Sequence, residues 1–203
     1  MKIRTAATAA LTLAAALTLA GCAGGSGSES MPGMDHGNSS APSSSSATTA
    51  DFNDADVMFA QMMIPHHAQA VEMSDMILGK EGIDPGVLTL ASDIKAAQQP
   101  EIDQLQSWLD EWGADSDTGS MDGMDHGGGM MSDDDMAALE AATGAEASRL
   151  FLEQMTMHHE GAIEMAQDEV DNGQNPDAIA MAQTIIDTQT AEIATMQELL
   201  GSL

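Results

Sequence analysis

The chain has 203 residues, 33 of them acidic and only 5 basic, for a net charge of −28. A surface this acidic repels nucleic acid and anionic lipid and attracts cations, so nucleic-acid binding is set aside. One cysteine excludes a disulfide framework, and 18 methionines against no Tyr, 2 Trp and 3 Phe point to a Met-filled core or to thioether chemistry.

The first residues read as a targeting segment. Lys2 and Arg4 make a short basic region, and Ala6 to Ala20 is an apolar run too short to span a bilayer comfortably. It ends in Leu19-Ala20-Gly21-Cys22, which resembles the bacterial lipobox. That resemblance implies a signal peptide over 1–21, cleavage before Cys22 and lipid attachment to its thiol. The protein would then sit outside the cytoplasm, held on the cell membrane by lipid without crossing it. Residues 22–50 are rich in Ser, Gly, Pro, Thr and Ala and read as a flexible tether.

No segment alternates with period two, so an all-α chain is expected. A helical pair is predicted over 51–112, a Gly/Asp/Met-rich linker over 113–132, and a second helical pair over 133–203. Gly79 and Gly82 end the first helix, and Asp84-Pro85 caps and starts the second. Gly173 and Asn175-Pro176 repeat that punctuation later in the chain. Pro65 and Pro100 fall inside predicted helices and are expected to kink them.

The two pairs are copies. Phe59, Met63, His66, His67, Ala70, Glu72 and Met73 recur as Phe151, Met155, His158, His159, Ala162, Glu164 and Met165, at a constant offset of 92. The second helix of each pair repeats at an offset of 91, with Gln98 and Glu101 matched by Gln189 and Glu192. Each pair alone would leave an apolar stripe bare, and two pairs together close a four-helix bundle.

Polar residues break the predicted stripes at matching places. Val87, Ala91, Ile94, Leu105, Trp108 and Trp112 follow core spacing, interrupted by Gln98 and Glu101. Ala178, Ala182, Ile185, Met196, Leu199 and Leu203 are interrupted by Gln189 and Glu192. A carboxylate inside a bundle is costly unless paired or bound to metal. His66 and His158 lie mid-stripe on the other two helices, with His67 and His159 beside them. Met63 and Met155 stand one turn before, and Met73 and Met165 two turns after. Imidazole with thioether is a ligand set for a soft metal, above all Cu(I). The plainer account is a hydrogen-bonded network in which Glu101 or Glu192 pairs with the seam histidine. Glu72 and Glu164 fit the inward stripe poorly and are read as outer-sphere or surface residues.

The linkers repeat the chemistry. Met31-Pro32-Gly33-Met34-Asp35-His36-Gly37 matches Met121-Asp122-Gly123-Met124-Asp125-His126-Gly127, which is followed by Met130 and Met131. Segments this polar and glycine-rich do not build a core. Their methionines and histidines are therefore read as a mobile trap for metal.

The repeated Met…His-His…Ala…Glu-Met with a following Gln-x-x-Glu-Ile resembles the family catalogued as domain of unknown function 305. The resemblance covers 51–203 apart from the linker. It implies a ferritin-like four-helix bundle, export and, in some members, copper binding. Carried over by position, the ligands would be Met63, His66, His67, Met73, Met155, His158, His159 and Met165. The chain is thus expected to be a membrane-anchored copper buffer, chaperone or resistance protein, with a copper exporter or oxidase as its partner. A ferritin-like oxidase with a di-iron or di-manganese centre built on His66, Glu101, His158 and Glu192 is the alternative, and a metal-free structural or interaction module the third. No nucleophile with an attached base and no nucleotide fingerprint is present, so no enzyme is assigned.

Overall fold

The computed structural model describes residues 51–115 and 128–203. Cys22, Met31, Met34, His36, Met121, Met124 and His126 lie outside the described residues, as do the expected signal peptide and tether. Among the described residues all regular structure is helical. It comprises α1 (Asp54–Leu78), α2 (Pro85–Trp112), α3 (Asp133–Ala141), α4 (Gly144–Asn172) and α5 (Pro176–Ser202). None of these helices is long and apolar enough to cross a membrane.

Local chemistry sets the ends. Asn53 accepts from the Ala55 and Asp56 N–H groups in a capping box, Asp84 caps α2, and Asn175 caps α5. Each such cap contributes about 1 kcal/mol. Gly113, at φ 67°, ends α2 in the left-handed conformation that glycine adopts without a Cβ penalty. Pro65 and Pro100 sit within α1 and α2, and both helices continue through them.

α1 packs along α2 and α4 along α5, and the two hairpins meet chiefly through α1 and α4. The two central helices run antiparallel. The start of α1 meets the end of α4, where Asn53 Nδ2 donates to the Asn172 carbonyl. The buried Asp56 carboxylate there accepts from the Asn53, Gln174 and Asn175 backbone N–H groups at 2.6, 3.0 and 2.8 Å. At the other end the Asp84 N–H donates to Ser148 Oγ at 3.1 Å. Asp56 and Ser148 occupy equivalent places in the two repeats, so each hairpin latches the turn of the other.

This antiparallel pairing divides the core into two halves. One holds Met73, Ile77, Val87, Ile94, Ala147, Phe151 and Met155. The other holds Phe59, Met63, Leu105, Leu109, Ala162, Ala166 and Ile185. Full burial of each large side chain contributes roughly 1.5–3 kcal/mol. The predicted stripes of α2 and α5 are buried through Val87, Ala91, Ile94, Gln98, Leu105 and Trp108, and through Ala178, Ala182, Ile185, Gln189 and Met196.

Helix α3 was not foreseen as a separate element. Its Leu139 is fully buried in the first half-core. Lys80 Nζ donates to the Glu140 carbonyl and Gln154 Nε2 to the Asp135 carbonyl, so α3 bridges the end of α1 and the start of α4. The segment before it also corrects an expectation. Met131 is a core residue, 7% exposed, and not part of a mobile trap. Gln69 fixes it by donating to its carbonyl at 2.9 Å and accepting from its N–H at 2.7 Å. Met130 remains partly exposed.

Candidate metal centre

The two His-His pairs meet between the half-cores. Exact repetition on antiparallel helices brings residue 66 opposite residue 158. The rings of His66 and His158 lie 3.7 Å apart between centroids, tilted by 37°. All four histidines are buried, none more than 2% exposed. The His158 and His159 ring centroids are 6.4 Å apart.

Each imidazole is held differently. His67 Nε2 meets Glu101 Oε2 at 2.9 Å, and His159 Nε2 meets Glu192 Oε2 at 2.7 Å. The Gln–Glu exceptions of α2 and α5 therefore serve the histidine beside the stripe within their own hairpin. They do not pair with the seam histidines, as the plainer sequence reading supposed. The cause is register: one residue along α1 or α4 turns the side chain about 100° away from the sister helix and toward the hairpin partner. His66 Nε2 donates to the Gly128 carbonyl at 2.7 Å.

These partners place the ring protons. A carboxylate or carbonyl oxygen only accepts, so His66, His67 and His159 each carry a proton on Nε2, and the neutral His66 ring leaves its Nδ1 lone pair bare. The Nδ1 atoms of all three are buried without a partner among the described residues, and so are both ring nitrogens of His158. Both amide atoms of Gln98 and Oε1 of Gln189 are likewise unpartnered. Leaving one buried polar group unsatisfied costs about 1–3 kcal/mol, so an orphaned set of this size is expensive. A cation that accepts lone pairs would satisfy the imidazole part of it. A histidine whose far nitrogen is held by a carboxylate is the usual arrangement around a bound metal, because the outer partner orients the ring and raises its basicity.

Electrostatics keeps the lone pairs open. Burial pulls His66 from its ordinary 6.5 down to about 3, against the Gly128 carbonyl, which opposes it, and with the neighbouring His67 and His159 adding to the lowering. His158 is held well below its ordinary value, first by burial and then by the neighbouring histidines. Neutral imidazole is the metal-binding form.

The thioethers divide between the half-cores. Met63, Met73 and Met155 are fully buried and Met165 is partly so. Met63 and Met165 pack in one half, Met73 and Met155 in the other, so a sulfur from each repeat lies on either side of the imidazole cluster. Glu72 and Glu164 are exposed and take no part. Among the described residues no three His, Cys, Asp or Glu side chains stand ready to chelate one ion. What the cluster presents is imidazole pairs with adjacent sulfur.

Two residues of the site escaped the sequence reading. A Cβ at Gly161 would lie 1.7 Å from the Gly128 carbonyl oxygen, so only glycine leaves the notch in α4 through which that carbonyl reaches His66. Gly129, at φ 75°, packs on the same notch, where a Cβ would lie 2.4 Å from the Met157 carbonyl. The signal was present: the second repeat has Gly161 where the first has Gln69, the residue that holds Met131.

A solved protein of this type from Streptomyces coelicolor, whose description anticipates secretion, is 32% identical with a TM-score of 0.68, covering 73% of this chain and 93% of its own. CopM in its Cu(II)-bound form is 30% identical with a TM-score of 0.64, covering 72% of this chain and 96% of its own. CopM has also been solved with Cu(I) and with silver. The uncharacterized protein L153 of Acanthamoeba polyphaga mimivirus is 43% identical over 56 residues, and the match spans 28% of this chain and 36% of that relative. The model of the family described as domain of unknown function DUF305 matches residues 56–200. The chain belongs to the DUF305 family.

Proposed function

We propose that the protein is an extracytoplasmic copper-binding protein, anchored by lipid on Cys22, that buffers or hands on Cu(I). The observation that carries this reading is the buried cluster of four histidines whose Nδ1 atoms have no partner among the described residues, two of the rings being backed by Glu101 and Glu192. Met63, Met73, Met155 and Met165 supply soft sulfur on both sides. Thioethers need no deprotonation, and burial keeps His66 and His158 neutral, so those ligands bind without releasing protons. Soft sulfur and imidazole favour Cu(I), whereas Zn(II) prefers four firm ligands in a tetrahedron. CopM, solved with Cu(I), Cu(II) and silver, supports copper as the ion. The Met/Asp/His motifs at 31–37 and 121–127 would capture metal for this centre, and an exporter or oxidase would receive it. The chemistry assigned to the protein is binding, not turnover.

Competition with a chromogenic Cu(I) chelator tests the proposal. Micromolar protein should strip Cu(I) from the chelator and bind Zn(II) far more weakly. Failure to compete under anaerobic conditions would refute it.

A further inference from the structure

The two ends of the central helix pair are related by the repeat, yet among the described residues only one is covered. Where the end of α1 meets the start of α4, α3 lies across the groove, held by Lys80 and Gln154 and by buried Leu139. The equivalent groove, between the start of α1 and the end of α4, is open. It has a volume of about 240 Å³ and is lined by Met58, Met62, Met165, Asp168 and Glu169.

The residues of this open groove depart from their counterparts in a consistent direction. Met58 is 54% exposed, whereas its equivalent Leu150 packs against the core. Met62 stands where the second repeat has Gln154, which holds α3. Glu169 stands where the first repeat has Ile77, a fully buried core residue. Glu169 is itself only 1% exposed, and its carboxyl faces the buried Asp56 carboxylate, to which it can donate only while it keeps its proton. Its carboxyl lies against Gly173 at the end of α4, where a Cβ would come within 2.4 Å of its Oε1. Exchanging an apolar core residue for a buried carboxyl that faces a second carboxylate is costly for the fold. Met58 and Met62 are one helical turn apart, which sets both side chains on one face. Among the described residues no Lys or Arg lines the groove. Thioether sulfur selects a soft ion such as Cu(I) over a hard one, and a buried carboxyl that releases its proton balances a single positive charge.

We infer that the groove between the start of α1 and the end of α4 is a second binding site for a soft monovalent cation, held by the sulfurs of Met58, Met62 and Met165 with the Glu169 carboxyl, which gives up its proton as the ion binds, as the charge-balancing ligand. The site shares with the proposed function the premise that the protein takes up Cu(I). Met165 links the two places, since a Cβ on Gly128, whose carbonyl holds His66, would lie 3.9 Å from Met165 Sδ. An ion caught in the open groove is thus one side chain away from the buried histidines.

Silver(I), which does not change oxidation state in solution, is the probe. It is titrated into the full chain carrying isotope-labelled methionine methyl groups, with calorimetry for stoichiometry. The Met58, Met62 and Met165 methyl signals should move together. A Met58→Leu/Met62→Leu variant, nearly volume-conserving, should lose one equivalent of silver or bind it at least tenfold more weakly there. Glu169→Gln should weaken the same equivalent at least tenfold, and unchanged affinity would remove the carboxylate from the site. A His66→Leu/His158→Leu variant should keep the three-methyl shift. If the Met58 and Met62 signals stay still while histidine-dependent silver binding persists, the groove site is overturned and the copper centre survives. If the three methyls move but the histidine variant binds as much silver as the wild type, the groove stands and the histidine centre falls.

Discussion

Acidifying the metal-free protein should expose the state of its buried histidines. In the fold His66 titrates at about 3 and His158 well below its ordinary value, both mainly through burial. In the unfolded chain each would titrate near 6.5. Between those values the unfolded chain takes up protons that the fold refuses, so stability falls as pH drops below 6.5 and is level above it. Lowering pH from 6.5 to 5 lets two unfolded imidazoles gain about 3 kcal/mol in all. Glu169 works the other way. Burial first, and then the adjacent Asp56 carboxylate, push its carboxyl up to about 8. The fold therefore keeps a proton that the unfolded chain releases, and this contribution grows as pH falls from 8 toward the ordinary carboxyl value. Glu169 borders an open groove, and with solvent screening its share over this window is roughly 1 kcal/mol. The net loss should be about 2 kcal/mol for the wild type and about 3 kcal/mol for Glu169→Gln. Urea melts of the two proteins at pH 6.5 and 5, with chelator present, measure it. Equal wild-type stability at both pH values, with Glu169→Gln no steeper, would refute neutral burial of the histidines and the raised carboxyl together.

Other outcomes follow from single contacts. Gly161→Ala puts a methyl on the Gly128 carbonyl, so it should cost about 1–3 kcal/mol and release His66 Nε2, seen as a shift of that imidazole proton in NMR. Glu101→Gln with Glu192→Gln leaves His67 and His159 without their carboxylates. Cu(I) affinity should fall about 10–100-fold in chelator competition while the helical signal is kept; unchanged affinity would mean that those two rings are not ligands.

Much of the fold was legible before any coordinates. The repeat of Phe59 to Met73 as Phe151 to Met165 carried the duplication, and the Asp84-Pro85 and Asn175-Pro176 caps carried the helix starts. These are local signals: periodicity and capping depend on residues within one or two turns. The stripes on α2 and α5, with a Gln and a Glu out of place in each, also announced that something polar lay inside.

Which histidine meets which partner was not legible. Spacing alone allowed Glu101 to reach either His66 or His67. Only the antiparallel crossing of α1 and α4 turned His66 onto His158 and left His67 to the carboxylate. Met131 was misjudged for a similar reason, since its composition is that of a linker while its burial depends on Gln69, 62 residues away in sequence. The sequence by itself determined that two copies of a Met/His helix hairpin exist and where each begins. The tertiary structure alone decided that the copies face each other head to tail, that α3 covers one groove and leaves the other open, and that a glycine notch admits a carbonyl to His66. Long-range packing, unlike helix periodicity, is written in no single window of the chain.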